Sequence, residues 1–112
     1  MGRSVVRFAL AWASALVLLL TAAGPSPGAA RRTHTVVIEA VKYTPESITV
    51  KPGDTVVWRN KDPFPHTVTA KGVFDSHVIF PGRSWKYTPR KTGEYAYVCT
   101  LHPTMKGTLK IE

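Results

Sequence analysis

The chain has 112 residues, 15 Lys and Arg against 7 Asp and Glu, a formal net charge of +8, and a single cysteine. That length holds one domain, and one cysteine excludes the internal disulfides on which small exported domains often rely. The basic balance points to an acidic partner or an anionic surface. No run of five like charges occurs, which argues against nucleic-acid binding.

The first element is a leader. Arg3 and Arg7 form a short basic region, Phe8 to Ala23 is almost wholly apolar, and a Gly/Pro-rich stretch of small residues follows. This is the layout of a secretory signal peptide over residues 1–30, cut after Ala30, with a cut after Ala23 as second choice. The apolar run of 16 residues is shorter than the roughly 20 of a comfortable span, so an uncleaved anchor is the alternative. No membrane span is expected in the mature chain. Residues 31–112 then form one exported domain, periplasmic or otherwise extracytoplasmic, with 13 basic residues against 7 acidic. A domain of that size buries only about 60% of its unfolded surface, so a bound metal would help to stabilise it.

Short alternating runs follow. Thr33 to Ala40, Ser47 to Val50, Asp54 to Asn60, His66 to Ala70, Arg83 to Thr88, Gly93 to Cys99 and Gly107 to Glu112 read as strands, rich in Val, Ile, Thr, Tyr and Trp. Pro52-Gly53-Asp54, Asp62-Pro63, Pro81-Gly82 and Thr92-Gly93 separate them as turns. Beyond the leader there is no sustained helical period and no internal repeat. The pattern predicts an all-β, antiparallel sandwich or barrel. Period-two alternation puts Val56 and Trp58 on one face, and Tyr95, Tyr97 and Cys99 on one face. If that second face is the core, the thiol lies inward at a strand end.

The stretch "CTLHPTM" begins at that strand end. It gathers Cys99, His102 and Met105 within seven residues. Pro103 pushes His102 out of the helical region, so a tight turn rather than a helix brings the three side chains together. Thiolate, imidazole and thioether are a donor set that suits copper. Two histidines and a cysteine with a weak axial methionine make the blue-copper arrangement. The second histidine must come from His34, His66 or His77. His66, where the Pro-containing loop "FPH" enters a strand, is the best placed. His77 reads as a surface loop residue, and His34 lies near the cut site. Zinc is the rival metal, but methionine serves it poorly and "CTLHPTMKG" holds no carboxylate to complete a zinc site.

These stretches resemble a known family. "ITVKPGDTVVWRNKD", then "PHTV", then "GEYAYVCTLHPTM" are similar to the cupredoxins, and within them to the amicyanin, pseudoazurin and plastocyanin group. The C-x₂-H-x₂-M spacing is that of the short amicyanin-type loop. The resemblance implies a Greek-key β-sandwich of about eight strands. It implies one type 1 copper ion held by His66, Cys99 and His102 in a plane, with Met105 axial, and a tyrosine corner at Tyr95. One departure stands out. The group commonly has Asn after the upstream histidine, whereas this chain has Thr67, so the side-chain tie to the Cys99 loop is expected to be weaker.

The resulting expectation is a monomeric, non-enzymatic carrier of single electrons. Leu101, Pro103, Phe64 and Pro65 would surround the edge of His102, the ligand nearer solvent. Partners would be redox proteins such as a c-type cytochrome or a dehydrogenase. The alternative is a copper-binding or delivery protein with no electron-transfer role.

Overall fold

The computed structural model describes residues 2–4, 14–18 and 30–112. The expected signal peptide over residues 1–30 falls largely outside the described residues. Among those described, no helix is long and apolar enough to cross a membrane.

Among the described residues nine strands form: β1 (Thr33–Glu39), β2 (Lys42–Thr44), β3 (Ser47–Val50), β4 (Thr55–Asn60), β5 (Thr69–Ala70), β6 (Phe74–Asp75), β7 (Ser84–Tyr87), β8 (Gly93–Cys99) and β9 (His102–Ile111). They make a four-stranded sheet in the order β2-β1-β4-β7 and a five-stranded sheet in the order β3-β9-β8-β5-β6. The expected all-β sandwich is therefore present, with one strand more than the implied eight. β2 and β6 are three and two residues long, too short to show an alternating pattern in sequence. The run from His66 to Ala70 is strand only at its end, since His66 makes an isolated bridge to Ile79.

Pairing is not wholly antiparallel. β1 runs parallel to β4 and β3 parallel to β9. The chain leaves the first sheet after β2, contributes β3 to the second, and returns as β4 beside β1. A strand that rejoins its sheet after such a crossover need not reverse direction, as a hairpin must.

The inward residues close the core. Val36, Ile38, Val56, Trp58, Val68, Tyr97, Cys99 and Leu109 are all buried. Each large apolar side chain removed from water contributes about 1.5–3 kcal/mol. The predicted faces hold for Val56, Trp58, Tyr97 and Cys99, while Tyr95 is half-buried at the core's edge. The Trp58 indole N–H donates to the Tyr97 hydroxyl at 3.2 Å, and the two rings meet edge-on at 5.7 Å. Burial pushes the Tyr97 phenol up to about 12, even though the Trp58 N–H opposes the shift. Tyr97 pairs across the ladder with Gly107, and a Cβ there would collide with the tyrosine ring. The glycine is what lets the ring lie over β9. The Tyr43 hydroxyl donates to the Thr67 carbonyl at 2.5 Å. Tyr95, where the resemblance implies a tyrosine corner, packs partly buried against the core.

Candidate metal centre

At one end of the sandwich, the loop after β4 is organised by one buried amide. The Asn60 side chain donates to the carbonyls of Phe64 at 2.8 Å and Ile79 at 2.9 Å, and accepts the Asp62 N–H at 2.9 Å. An amide has two donor hydrogens and one acceptor oxygen, so its capacity is well used. The loop delivers His66, whose N–H and C=O bond reciprocally to Ile79 at 3.2 and 2.7 Å.

The second contribution is the β8–β9 hairpin. Its register is regular from Gly93↔Ile111 to Val98↔Lys106, then jumps so that Cys99 faces His102. Pro103, Thr104 and Met105 consequently have no counterpart on β8. Proline, which has no N–H to offer the ladder, fits such an unpaired position. The expected tight turn is real: it lies at Thr100-Leu101 and leads into a strand that starts at His102 rather than at Gly107.

The hairpin and the loop meet at the cysteine. Cys99 Sγ lies 3.7 Å from Nδ1 of His66 and 3.7 Å from Nδ1 of His102. The three donor atoms all fall within 4.8 Å of one another. A metal with a sulfur bond of about 2.3 Å and a nitrogen bond of about 2.0 Å, in trigonal geometry, holds S and N roughly 3.7 Å apart. The two sulfur-to-nitrogen spacings thus fit one ion shared by the cysteine and the histidines. The donor chemistry, with a methionine nearby, is typical of type 1 copper. Met105 is buried in the same core cluster as Cys99. His66 is wholly buried and His102 only partly so. The other two histidines stand apart from this group. The His77 side chain is 86% exposed, and His34, in β1, is bonded to Asp54 at 2.9 Å rather than loose near a chain end.

The surroundings hold the donors in place. Thr67 N–H donates to Cys99 Sγ at 3.2 Å. The Thr67 hydroxyl accepts the Thr100 N–H at 2.9 Å, meets the Thr100 hydroxyl at 3.2 Å, and accepts from the Thr69 hydroxyl at 3.0 Å. The side-chain tie to the Cys99 loop, expected to be weaker with threonine at this position, is made in full. A hydroxyl can accept twice and donate once, which suffices here. On the far side of His66, Nε2 meets Asp62 Oδ2 at 2.7 Å. Burial works to raise the Asp62 carboxyl, but the Val41 N–H, His66 and the Ala40 N–H outweigh it and hold the group below the ordinary carboxylate range.

The structure adds residues that sequence reading did not single out. Asp62 had been read only as a turn residue, and Thr100 not at all. The i,i+4 spacing of Asp62 and His66 was a visible signal, though in a loop that spacing carries no fixed geometry. Phe64, Pro65, Leu101 and Pro103 are exposed, as expected of an apolar rim. Phe80, which follows the bridging Ile79, is also exposed, at 63%.

Comparison with known proteins places these features. Residues 10–111 match the sequence model of the cupredoxin-like domain. The chain is 35% identical to amicyanin from Paracoccus versutus over 81 residues, covering 67% of this chain and 61% of that one. It is 29% identical to amicyanin-alpha from Methylorubrum extorquens over 93% of this chain and 98% of the other. It is 33% identical to plastocyanin from Scenedesmus fuscus, covering 65% and 89% respectively. The chain spans about three fifths of the length of the two Paracoccus amicyanins it matches. Among solved structures, a Cu(I) form of an amicyanin variant superposes with a TM-score of 0.67 at 31% identity, over 71% of this chain and 82% of that one. A copper-containing nitrite reductase from Thermus scotoductus gives a TM-score of 0.68 at 26% identity, over 71% of this chain but only 22% of the enzyme.

Proposed function

We propose, on the premise that this chain belongs to the cupredoxin family, that it is an exported carrier of single electrons. In this reading His66, Cys99, His102 and Met105 would hold one copper ion, and residues 31–112 would be the mature domain. The observation that carries it is the buried thiol set 3.7 Å from two imidazole nitrogens that reach it from different parts of the fold. Bound copper supplies one-electron chemistry, alternating between Cu(II) and Cu(I).

The chain's own residues supply rigidity and access. Thr67 holds the Cys99 sulfur and the hairpin behind it, and Asp62 holds His66, so the donor positions are set by hydrogen bonds within the protein. Hydrogen bonds to the cysteine sulfur and to the outer nitrogen of a histidine ligand are known ways of tuning a metal site. His102 is the donor nearer solvent, and the exposed Phe64, Leu101 and Pro103 lie in the segments that flank the site. A partner seated there exchanges electrons through the imidazole edge. The basic surface favours an acidic face on that partner, a c-type cytochrome or a dehydrogenase being the kinds that fit, with the protein itself a monomer in the periplasm.

Likeness to one part of a nitrite reductase shows that the fold alone does not separate carriers from enzymes. The separation rests on ligands. Beyond His66 and His102 this chain has only His34 and His77, one tied to Asp54 and the other exposed, so the residues for a second copper centre are lacking. The test is a visible absorption spectrum of the copper-loaded protein, followed by rapid-mixing oxidation and reduction. An intense band toward the red with fast exchange is expected. A colourless protein that binds Cu(I) and passes it to a chelator would instead establish copper delivery.

A further inference from the structure

Between β1 and β2 the chain reverses through Ala40 and Val41, enclosed by the Glu39↔Lys42 pair. Both residues are left-handed, with φ of 52° and 56°. A two-residue hairpin with positive φ at both positions ordinarily takes Asn-Gly or Gly-Gly. Alanine is strained there, and a β-branched valine is an outlier. Such strain persists only where the surroundings enforce it, and it collects at functional sites.

The enforcing group is Asp62. Its Oδ1 accepts the Ala40 N–H at 2.6 Å and its Oδ2 the Val41 N–H at 2.9 Å. The same Oδ2 meets His66 Nε2 at 2.7 Å. Asp62 is 6% exposed and His66 is fully buried, so little water competes for these bonds. A carboxylate can only accept, so the nitrogen facing it must carry the hydrogen. In the neutral imidazole that leaves Nδ1 without a hydrogen on the side facing Cys99 Sγ, 3.7 Å away.

We propose that the Ala40–Val41 turn and Asp62 form a positioning device for the metal site. The strained turn aims two backbone N–H groups at the carboxylate. The carboxylate then fixes His66 in the tautomer and orientation that present Nδ1 to the metal. Asp62 is a positioning residue, acting on the metal only through His66. The turn belongs to the four-stranded sheet, whereas Cys99 and His102 belong to the five-stranded sheet. A surface turn in one sheet thereby sets a donor that must meet two donors from the other. The negative charge behind His66 also favours Cu(II) over Cu(I).

The inference rests on His66 being a ligand, but its first test needs no metal. Nitrogen NMR of the metal-free wild-type protein at about pH 8, where a free imidazole is neutral, reads the tautomer of His66. The Nε2–H form is expected, with the Ala40 and Val41 amides exchanging as slowly as the paired amides of β1. An Nδ1–H form, or turn amides exchanging at the rate of open chain, would overturn the device while leaving the electron-carrier reading untouched.

Asp62→Asn is the second test. Exchange of the Ala40 and Val41 amides should quicken at least tenfold. The copper protein's midpoint potential should rise, by about 59 mV for each tenfold loss in the preference for Cu(II). Unchanged exchange and an unchanged potential would each count against the device. The paired change Ala40→Asn with Val41→Gly should keep the Nε2–H tautomer, because it relieves the strain but retains both N–H donors. Loss of that tautomer in the paired variant would show that the side chains, not the N–H groups, hold the carboxylate.

Discussion

Two ends of this sandwich carry the same device and put it to different use. At one end Asp62 accepts two backbone N–H groups and faces His66 at 2.7 Å. At the other Asp54 accepts the N–H groups of Arg32 and Lys51 and faces His34 at 2.9 Å. Each aspartate staples a strand end by satisfying backbone donors that no ladder reaches. The difference lies on the far side of the imidazole. The second nitrogen of His66 meets a buried thiol and stands close to another imidazole, whereas His34 is a quarter exposed in β1 and joins no such cluster among the described residues. An Asp–His pair is therefore a structural fastening by default. It becomes part of a metal centre only where the fold brings further soft donors to the other ring nitrogen.

Removing the thiol breaks the contrast most completely. Cys99→Ser should abolish the intense visible band of the copper protein, since the thiolate is the soft donor that distinguishes the site. Absorption spectroscopy after copper titration decides it, and a retained intense band would end the assignment.

The two histidines should differ next. His66→Ala should lose the blue site. It should also lower the stability of the metal-free protein by about 1–3 kcal/mol, because a buried carboxylate loses its partner. His34→Ala should keep the spectrum and cost at most about 1 kcal/mol, as partly exposed pairs do. Denaturant unfolding with parallel copper titration compares them, and equal effects on colour would erase the distinction between the ends.

Thr67→Val probes how the metal end is held. It strands the Thr100 N–H and should cost about 1–2 kcal/mol in the metal-free protein. Thr67→Ser should recover most of this, because it restores the hydroxyl. A valine variant as stable as wild type would mean that the hairpin does not need the tie.

The smallest effect concerns acid at the opposite end. The Arg32 N–H, then His34 and the Lys51 N–H, hold the Asp54 carboxyl down to about 2. An unfolded aspartate titrates near 3.9. The unfolded chain thus takes up the proton first, and the stability this group contributes above that pH is lost as pH falls toward about 2. Asp54→Asn should flatten that part of the acid limb. Thermal unfolding of the metal-free protein from about pH 5 to about pH 2 measures it, and an unaltered slope would show that Asp54 does not pin this end.

Much of the fold was legible because alternation and turn chemistry are local. Ser47–Val50 and Gly93–Cys99 are strands with the bounds expected of them. Cys99, His102 and Met105 stood out as candidate metal donors by residue type and spacing alone, and the structure gathers Cys99 and His102 with the Pro-bounded His66. Tertiary structure decided whatever depends on which segments become neighbours. The parallel pairing of β1 with β4 arises from sheet crossovers that leave no mark in the strands themselves. The short β2 and β6 exist because partners lie beside them. Thr67 looked like a weakened tie because a residue's reach cannot be judged before its partner, Thr100, is in place. Asp62 read as a turn former because a carboxylate's role depends on the groups that converge on it, here the N–H groups of a turn 21 and 22 residues earlier and a histidine four residues later.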